Sequence, residues 1–250
     1  MTSSQEMLVA TYVLIPGAGG AAWYWHRVVP ELRARGHVVV AVDLPADDDS
    51  AGLARYADTV VEAIGERTDL VLVAQSMGAF TAPVVCERLP VRMLILVNAM
   101  IPARGESAGT WWESTGQSAA MQENAERIGL PSLSLDYMDA LFGHDVPRDV
   151  WEAGADHQRE QSGTPFGDPW PLDAWPDVPT RVLLSRDDRL FPADFQRRAA
   201  QERLGIVPDE MDGGHLVALS RPGELAERLD VYARVGTDAE RSGQEPAHDP

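Results

Sequence analysis

Three observations predict an α/β fold: a mostly parallel central sheet with helices on both faces and an inserted cap. Short, valine-rich apolar runs alternate with stretches whose apolar residues recur at helical spacing. The alternation breaks near residue 100 and resumes near 178. One strand-to-helix junction, Val71-Leu72-Val73-Ala74-Gln75-Ser76-Met77-Gly78-Ala79-Phe80, places a serine at the corner with small residues two positions away on either side.

Residues 8–15 (Leu-Val-Ala-Thr-Tyr-Val-Leu-Ile) read as a buried strand, which ends in Pro16-Gly17-Ala18-Gly19-Gly20. The glycines there let backbone amides approach a ligand. A helix follows over about 23–35, with Trp25, Val28, Val29 and Leu32 on one face, and a second strand covers 37–43. Asp47-Asp48-Asp49 is a solvated loop. Three adjacent carboxylates cannot all converge on one ion, so no metal site is assigned there. A helix over 52–66, a strand over 70–75, a helix over 77–88 and a strand over 91–98 continue the rhythm. Residues 100–177 hold helical patches separated by Gly and Pro, with five tryptophans: Trp111, Trp112, Trp151, Trp170 and Trp175. This interruption reads as a cap inserted between two strands. The rhythm returns with a strand over 180–185, a helix near 193–203, a short strand near 206–211 and a closing helix over 221–234. The expected core is therefore 1–99 with 178–235, the cap 100–177. The tail 236–250 is polar and aperiodic, and is expected to be disordered.

Composition narrows the function. The chain has 250 residues, 44% apolar and 24% charged, as in a soluble globular protein. A net charge of −18 argues against nucleic acid and against an anionic membrane surface as partners. Met1-Thr2-Ser3-Ser4-Gln5-Glu6 has no basic stretch and no long apolar run follows, so neither a signal peptide nor a membrane span is expected. Cys86 is the single cysteine and reads as a core thiol; with no intrachain disulfide possible, a reducing, cytoplasmic setting fits. All 21 basic residues are arginine. Without lysine there is no Schiff-base chemistry and no P-loop. His26, His37, His144 and His157 are too scattered for a ligand set, and no metal or cofactor is expected.

The corner serine carries the chemistry. Small-x-Ser-x-Gly, here Ala74-Gln75-Ser76-Met77-Gly78, is the pattern of a nucleophile elbow, in which a strained backbone lifts the serine and the helix packs close to the strand. Such a serine needs a base and an orienting acid on later loops, in the order acid then histidine. Arg186-Asp187-Asp188-Arg189-Leu190-Phe191-Pro192 follows one strand, and Asp212-Gly213-Gly214-His215-Leu216 follows the last. Three features in the right order, each at a strand end, point to Ser76 with His215 and an aspartate.

With these residues in place, the chain resembles the α/β-hydrolase fold, in the branch that holds plant methylesterases and hydroxynitrile lyases. The likeness lies in Leu14 through Trp25, in Gly36-His37 through Asp43-Leu44-Pro45, and in Asp188-Arg189-Leu190-Phe191 followed by Phe195-Gln196. It covers nearly all of the chain except the cap. The resemblance favours Asp188 over Asp187 as the acid, and makes Asp187 a solvated neighbour. It implies an oxyanion hole from the backbone N–H groups of Ala18 and Met77. Two departures are informative. Pro16 stands where the family has histidine. Gly17 and Leu216 stand where the lyases resemble one another in threonine and lysine; without that lysine nothing cationic stabilises departing cyanide, which argues against a lyase. A serine nucleophile argues against the dehalogenase and epoxide hydrolase branches, which need a carboxylate.

The expectation is thus a serine hydrolase acting on a small carboxylic ester through Ser76, His215 and Asp188. Other triad chemistry (lactone opening, carbon–carbon bond hydrolysis, biosynthetic tailoring) and a non-catalytic small-molecule receptor remain as alternatives. Gly17, Trp111, Trp112 and Leu216 are the candidate substrate-pocket residues, although any one cap tryptophan is as readily glue between cap and core. Trp23 and Trp25 read as packing residues. A homodimer is an analogy from relatives.

Overall fold

The computed structural model describes residues 9–130 and 138–242. Its centre is a six-stranded sheet in the order β2-β1-β3-β4-β5-β6, with every pairing parallel: β1 (Thr11–Ile15), β2 (Val38–Ala41), β3 (Leu70–Gln75), β4 (Val91–Val97), β5 (Thr180–Ser185) and β6 (Asp209–Met211). The core helices are α1 (Val28–Ala34), α2 (Leu53–Ile64) and α3 (Gly78–Cys86). Between β4 and β5 lie α4 (Ala108–Ser114), α5 (Gln117–Arg127), α6 (Arg148–Gly154) and α7 (Thr164–Gly167). Beyond β5 come α8 (Ala193–Leu204), α9 (Val217–Ser220) and α10 (Pro222–Ser242).

The valine-rich runs are continuous because both faces of the sheet are covered. Successive side chains point to opposite sides, so one strand feeds two cores. Tyr12, Leu14, Val71, Val73, Ile95 and Val97 pack with Val28, Leu32, Leu225 and Leu229 of α1 and α10. Val13, Ile15, Leu70, Leu72, Leu94 and Leu96 pack with Tyr56, Val60 and Ile64 of α2 and Val84 and Val85 of α3. Each such aliphatic side chain taken fully from water contributes about 1.5–3 kcal/mol. The middle strands carry the longest runs because they are buried twice over; edge strand β2 begins at the exposed Val38.

The strand order places the site. The connection from β1 runs outward to β2, whereas the chain re-enters on the other side of β1 at β3 and continues to β4. The loops leaving β1 and β3 therefore diverge, and a crevice opens between their C-terminal ends.

Several boundaries differ from expectation. The first helix is split: a single turn over Ala22–Trp25 precedes α1. β6 is three residues long. Helix α10 runs on to Ser242, so residues 236–242 are helical, where a disordered tail was expected; 243–250 lie outside the described residues. Cys86, at the end of α3, is only partly buried, but burial pushes its thiol up to about 12, so it stays protonated and unreactive. Among the described residues no helix is long and apolar enough to cross a membrane.

The segment between β4 and β5 is tied to the sheet layer by Glu106. Its carboxylate accepts from Arg203 of α8 (Nη2 at 3.0 Å, and Nη1), from Ser114 Oγ and from the Ala103 N–H at 2.9 Å. Burial works to raise the Glu106 carboxyl, but the bonds from Arg203, Ser114 and Ala103 outweigh it and hold the group below the ordinary glutamate range. A depressed folded value contributes stability above the unfolded value of 4.5, and that contribution is lost as pH falls through the folded one. Glu106→Gln is expected to lower unfolding free energy by about 1–3 kcal/mol at pH 7. The deficit should shrink towards zero in acid, as urea denaturation at pH 7 and pH 3 will read.

Candidate active site

Ser76 sits in the tight turn between β3 and α3 with φ at +49°, a left-handed conformation that non-glycine residues rarely adopt. Its N–H donates to Val97 O (3.2 Å), and its carbonyl accepts from Ala79 N (3.2 Å) and Met100 N (3.0 Å). These bonds to β4 and the chain beyond it hold the strained turn in place. Gly78 explains the second small position of the motif. A Cβ there would lie 2.7 Å from the Pro16 carbonyl oxygen and 3.1 Å from that of Ile15. Gly17 is constrained from the other side, since a Cβ would meet the Gln75 side chain at 2.5 Å and Ser76 Cβ at 2.9 Å. Backbone and side chains of β1 and β3 thus meet as closely as atoms allow.

On the loop after β5, Asp188 is fully buried and held by four hydrogen-bond donors. Oδ1 accepts from the N–H groups of Leu190 (2.9 Å) and Phe191 (2.8 Å), and Oδ2 from Gln196 Nε2 (3.3 Å) and from His215 Nδ1 at 2.8 Å. Asp187, the alternative from sequence, is exposed and only accepts from Gly213 N (3.3 Å). His215, on the loop after β6, is buried, with the rings of Phe191 and Phe142 set edge-on at 4.9 and 5.5 Å. Its carbonyl accepts from Asn98 Nδ2 (3.2 Å), and the same amide reaches Gly214 O (3.2 Å) and Ser185 Oγ (3.0 Å). From the segment between β4 and β5, Asp145 Oδ2 takes the Gly214 N–H at 2.7 Å. The imidazole is therefore clamped front and back.

The loop after β1 is tied down at two amides. Gly17 N donates to Gln75 Oε1 (3.1 Å), and Gly19 N to Gln161 Oε1 of the segment between β4 and β5 (2.9 Å). Between them, Ala18 N–H donates to no described residue, and neither does Met77 N–H at the start of α3. Two backbone donors are left unspent beside Ser76.

Ser76, Met77, Gly17, Ala18, His215 and Leu216 all border one cavity of about 590 Å³ whose walls are chiefly apolar. Trp112 lines it as well, together with Trp151, Phe142 and Met100. Trp111 does not reach it: the ring is fully buried among Trp112, Phe191 and Phe195, and its indole N–H donates to Ile101 O at 3.0 Å. Two adjacent residues of α4 cannot face the same way, and Trp111 took the core side. Trp23 packs against the core, as expected, but has a second role. It lines the cavity, stacked between His26 (4.4 Å) and His157 (4.9 Å), while Trp25 is wholly buried.

Sequence reasoning missed Gln75, Asn98, Asp145 and Gln161. Asn98 carried a usable signal, a polar side chain closing an apolar strand. Gln75 was visible only as the unassigned x of the motif, and Asp145 and Gln161 had no pattern at all.

Residues 12–228 match the sequence model of the alpha/beta hydrolase family, and the chain belongs to that family. Methylesterase 7 of Arabidopsis thaliana is 34% identical over 89% of this chain and 97% of its own length. A probable esterase of Oryza sativa subsp. japonica is 27% identical over 87% of this chain and 94% of its own. Among solved structures, a pyrethroid hydrolase from Sphingobium faniae shares the fold with a TM-score of 0.74 at 23% identity, covering 92% of this chain and all of that one. The protein is accordingly an α/β-fold hydrolase of the methylesterase-like branch.

The approach of Gly78 to the β1 carbonyls gives a direct test of the packing. Gly78→Ala is expected to cost about 1–3 kcal/mol, because the Pro16 carbonyl cannot retreat without moving the loop that follows. Urea denaturation measures it, and an unchanged midpoint would deny the close contact.

Proposed function

We propose that the protein hydrolyses a small carboxylic ester bearing an apolar group, with Ser76 as nucleophile, His215 as general base and then acid, and Asp188 as the orienting carboxylate. The observation that carries the reading is the buried His215 Nδ1–Asp188 Oδ2 hydrogen bond of 2.8 Å at the edge of the cavity that Ser76 also borders. With its proton committed to Asp188, the ring keeps Nε2 free of one, the state a base requires. The esterase and methylesterase names of the relatives point the same way.

In this reading Ser76 attacks the ester carbonyl while His215 removes the hydroxyl proton. The imidazolium then protonates the departing alkoxide, leaving an acyl group on Ser76, and water activated by His215 releases the acid. The oxyanion of each tetrahedral intermediate lies against the N–H groups of Ala18 and Met77, each worth about 2.7–4 kcal/mol of barrier if it behaves as such donors do elsewhere. Trp23, Trp112, Phe142 and Met100 would take the apolar part of a small-molecule substrate, since pockets of this size and polarity bury most of an apolar ligand. Cavity walls so poor in charge favour a neutral ester.

Fluorophosphonate labelling followed by mass spectrometry should place the adduct on Ser76, and Ser76→Ala should lose both the adduct and p-nitrophenyl ester hydrolysis. Hydrolysis that survives the substitution would remove Ser76 from this role. Asp188→Asn is expected to lower kcat by about 10⁴, because a carboxamide no longer enforces the Nδ1–H tautomer. A loss under tenfold in ester turnover would count against the assignment.

A further inference from the structure

The imidazole nitrogen that must accept the serine proton is not met by Ser76 in this structure. His215 Nε2 faces the side-chain nitrogen of Gln75 at 3.1 Å, and the same nitrogen lies 3.4 Å from the His215 carbonyl. The orientation of the Gln75 amide is fixed by its other end. Oε1 accepts the Gly17 N–H at 3.1 Å, and a flipped amide would set two donors against each other there. Gln75 is 3% exposed. One side chain thereby ties the loop after β1 to the base on the loop after β6.

We infer that Gln75 is a positioning residue of the hydrolytic site: it holds His215 in the unprotonated-Nε2 state and drives the proton that Nε2 picks up onwards to the leaving group. The inference rests on the serine-hydrolase reading above. In the resting site the Gln75 N–H donates to the Nε2 lone pair, which only the neutral ring with hydrogen on Nδ1 provides. Nε2 has a single lone pair, so the Gln75 N–H must give it up before the Ser76 hydroxyl can donate there; once Nε2 has taken that proton, its N–H faces only another donor in Gln75. That contact turns repulsive, and the imidazolium must aim its proton elsewhere, at the oxygen leaving the tetrahedral carbon. The proton passes from Ser76 Oγ to Nε2 and then to that oxygen, so the ring ends as it began. Through Oε1 the same amide holds Gly17, and with it the neighbouring Ala18 N–H, in register with the base.

A carboxylate at this position would do the opposite. It could still accept from Gly17 N, but it would accept from a protonated Nε2 as well and trap the imidazolium. The other ionisable groups around the ring are Asp188 on Nδ1, the Ser76 hydroxyl, Tyr24 across the cavity, and His144 with Asp145 against Gly214. All are common to wild type and variants.

The test measures kcat and KM for a p-nitrophenyl ester across pH, with the fluorophosphonate labelling rate at Ser76, in wild type, Gln75→Glu and the near-isosteric Gln75→Met. In Gln75→Glu the acid limb of the kcat/KM profile should move up by about one pH unit or more, and activity at pH 7 should fall about tenfold. In Gln75→Met, kcat should fall about three- to tenfold with KM within about twofold of wild type, the loss of one or two modest hydrogen bonds. Its acid limb should move less than that of Gln75→Glu. A residue that merely filled space would lower the melting temperature of both variants and leave the limb alone. Superimposable acid limbs for wild type and Gln75→Glu, or kcat within twofold of wild type in both variants, would overturn the inference. If wild type itself is not labelled at Ser76, the serine-hydrolase reading fails first and takes this inference with it.

Discussion

Two close approaches of polypeptide underlie the whole rim: Gly78 against the carbonyls of Ile15 and Pro16, and Gly17 against Gln75 and Ser76. Because neither position has room for a Cβ, the end of β1 and the turn after β3 stay in contact, and Ser76 is held at φ +49° rather than relaxing into the helix. Tight packing of this kind does not deform by degrees; it either persists or the loops separate. Ser76 and residues of the segment between β4 and β5 then border one cavity.

Polar satisfaction completes what packing begins. Asp188 is buried yet accepts four hydrogen bonds, so its charge is compensated without an ion-pair partner other than the histidine it orients. Asn98 is a second such anchor. It stands at φ +46° at the end of β4 and spends its amide on Ser185, Gly214 and His215. The cost of burying these groups is offset only if every loop arrives together, which makes the site a property of the whole sheet edge. The segment between β4 and β5 participates directly: Asp145 holds Gly214, and Gln161 holds Gly19. Substitutions far out in the segment between β4 and β5 therefore have a physical route to His215 and to the loop after β1.

Much of this was legible before any coordinates. The doubly buried strands announced themselves as unbroken apolar runs, the elbow by its small flanks, and Asp188 and His215 by their place after strands. Those signals are local: each arises from the period of one element or from one turn's need for a small residue. Resemblance to a family added the choice of Asp188 over Asp187. In the structure Asp188 is buried against His215 and Asp187 is exposed.

What stayed hidden was every pairing between residues far apart in the chain. Two adjacent tryptophans gave no indication that one would enter the core and the other the cavity, since the difference is the rotation of α4 against α8 and its neighbours. Nothing in an x position said that Gln75 would span from Gly17 to His215, and nothing around Gln161 said that it would reach Gly19. Periodicity and turn chemistry act within a few residues, so they suffice to set the order of elements and the strand ends where reactive side chains stand. Which hydrogen bonds those side chains make, and which surface faces the substrate, is settled only when separate loops are brought to one edge and compete for the same donors and acceptors.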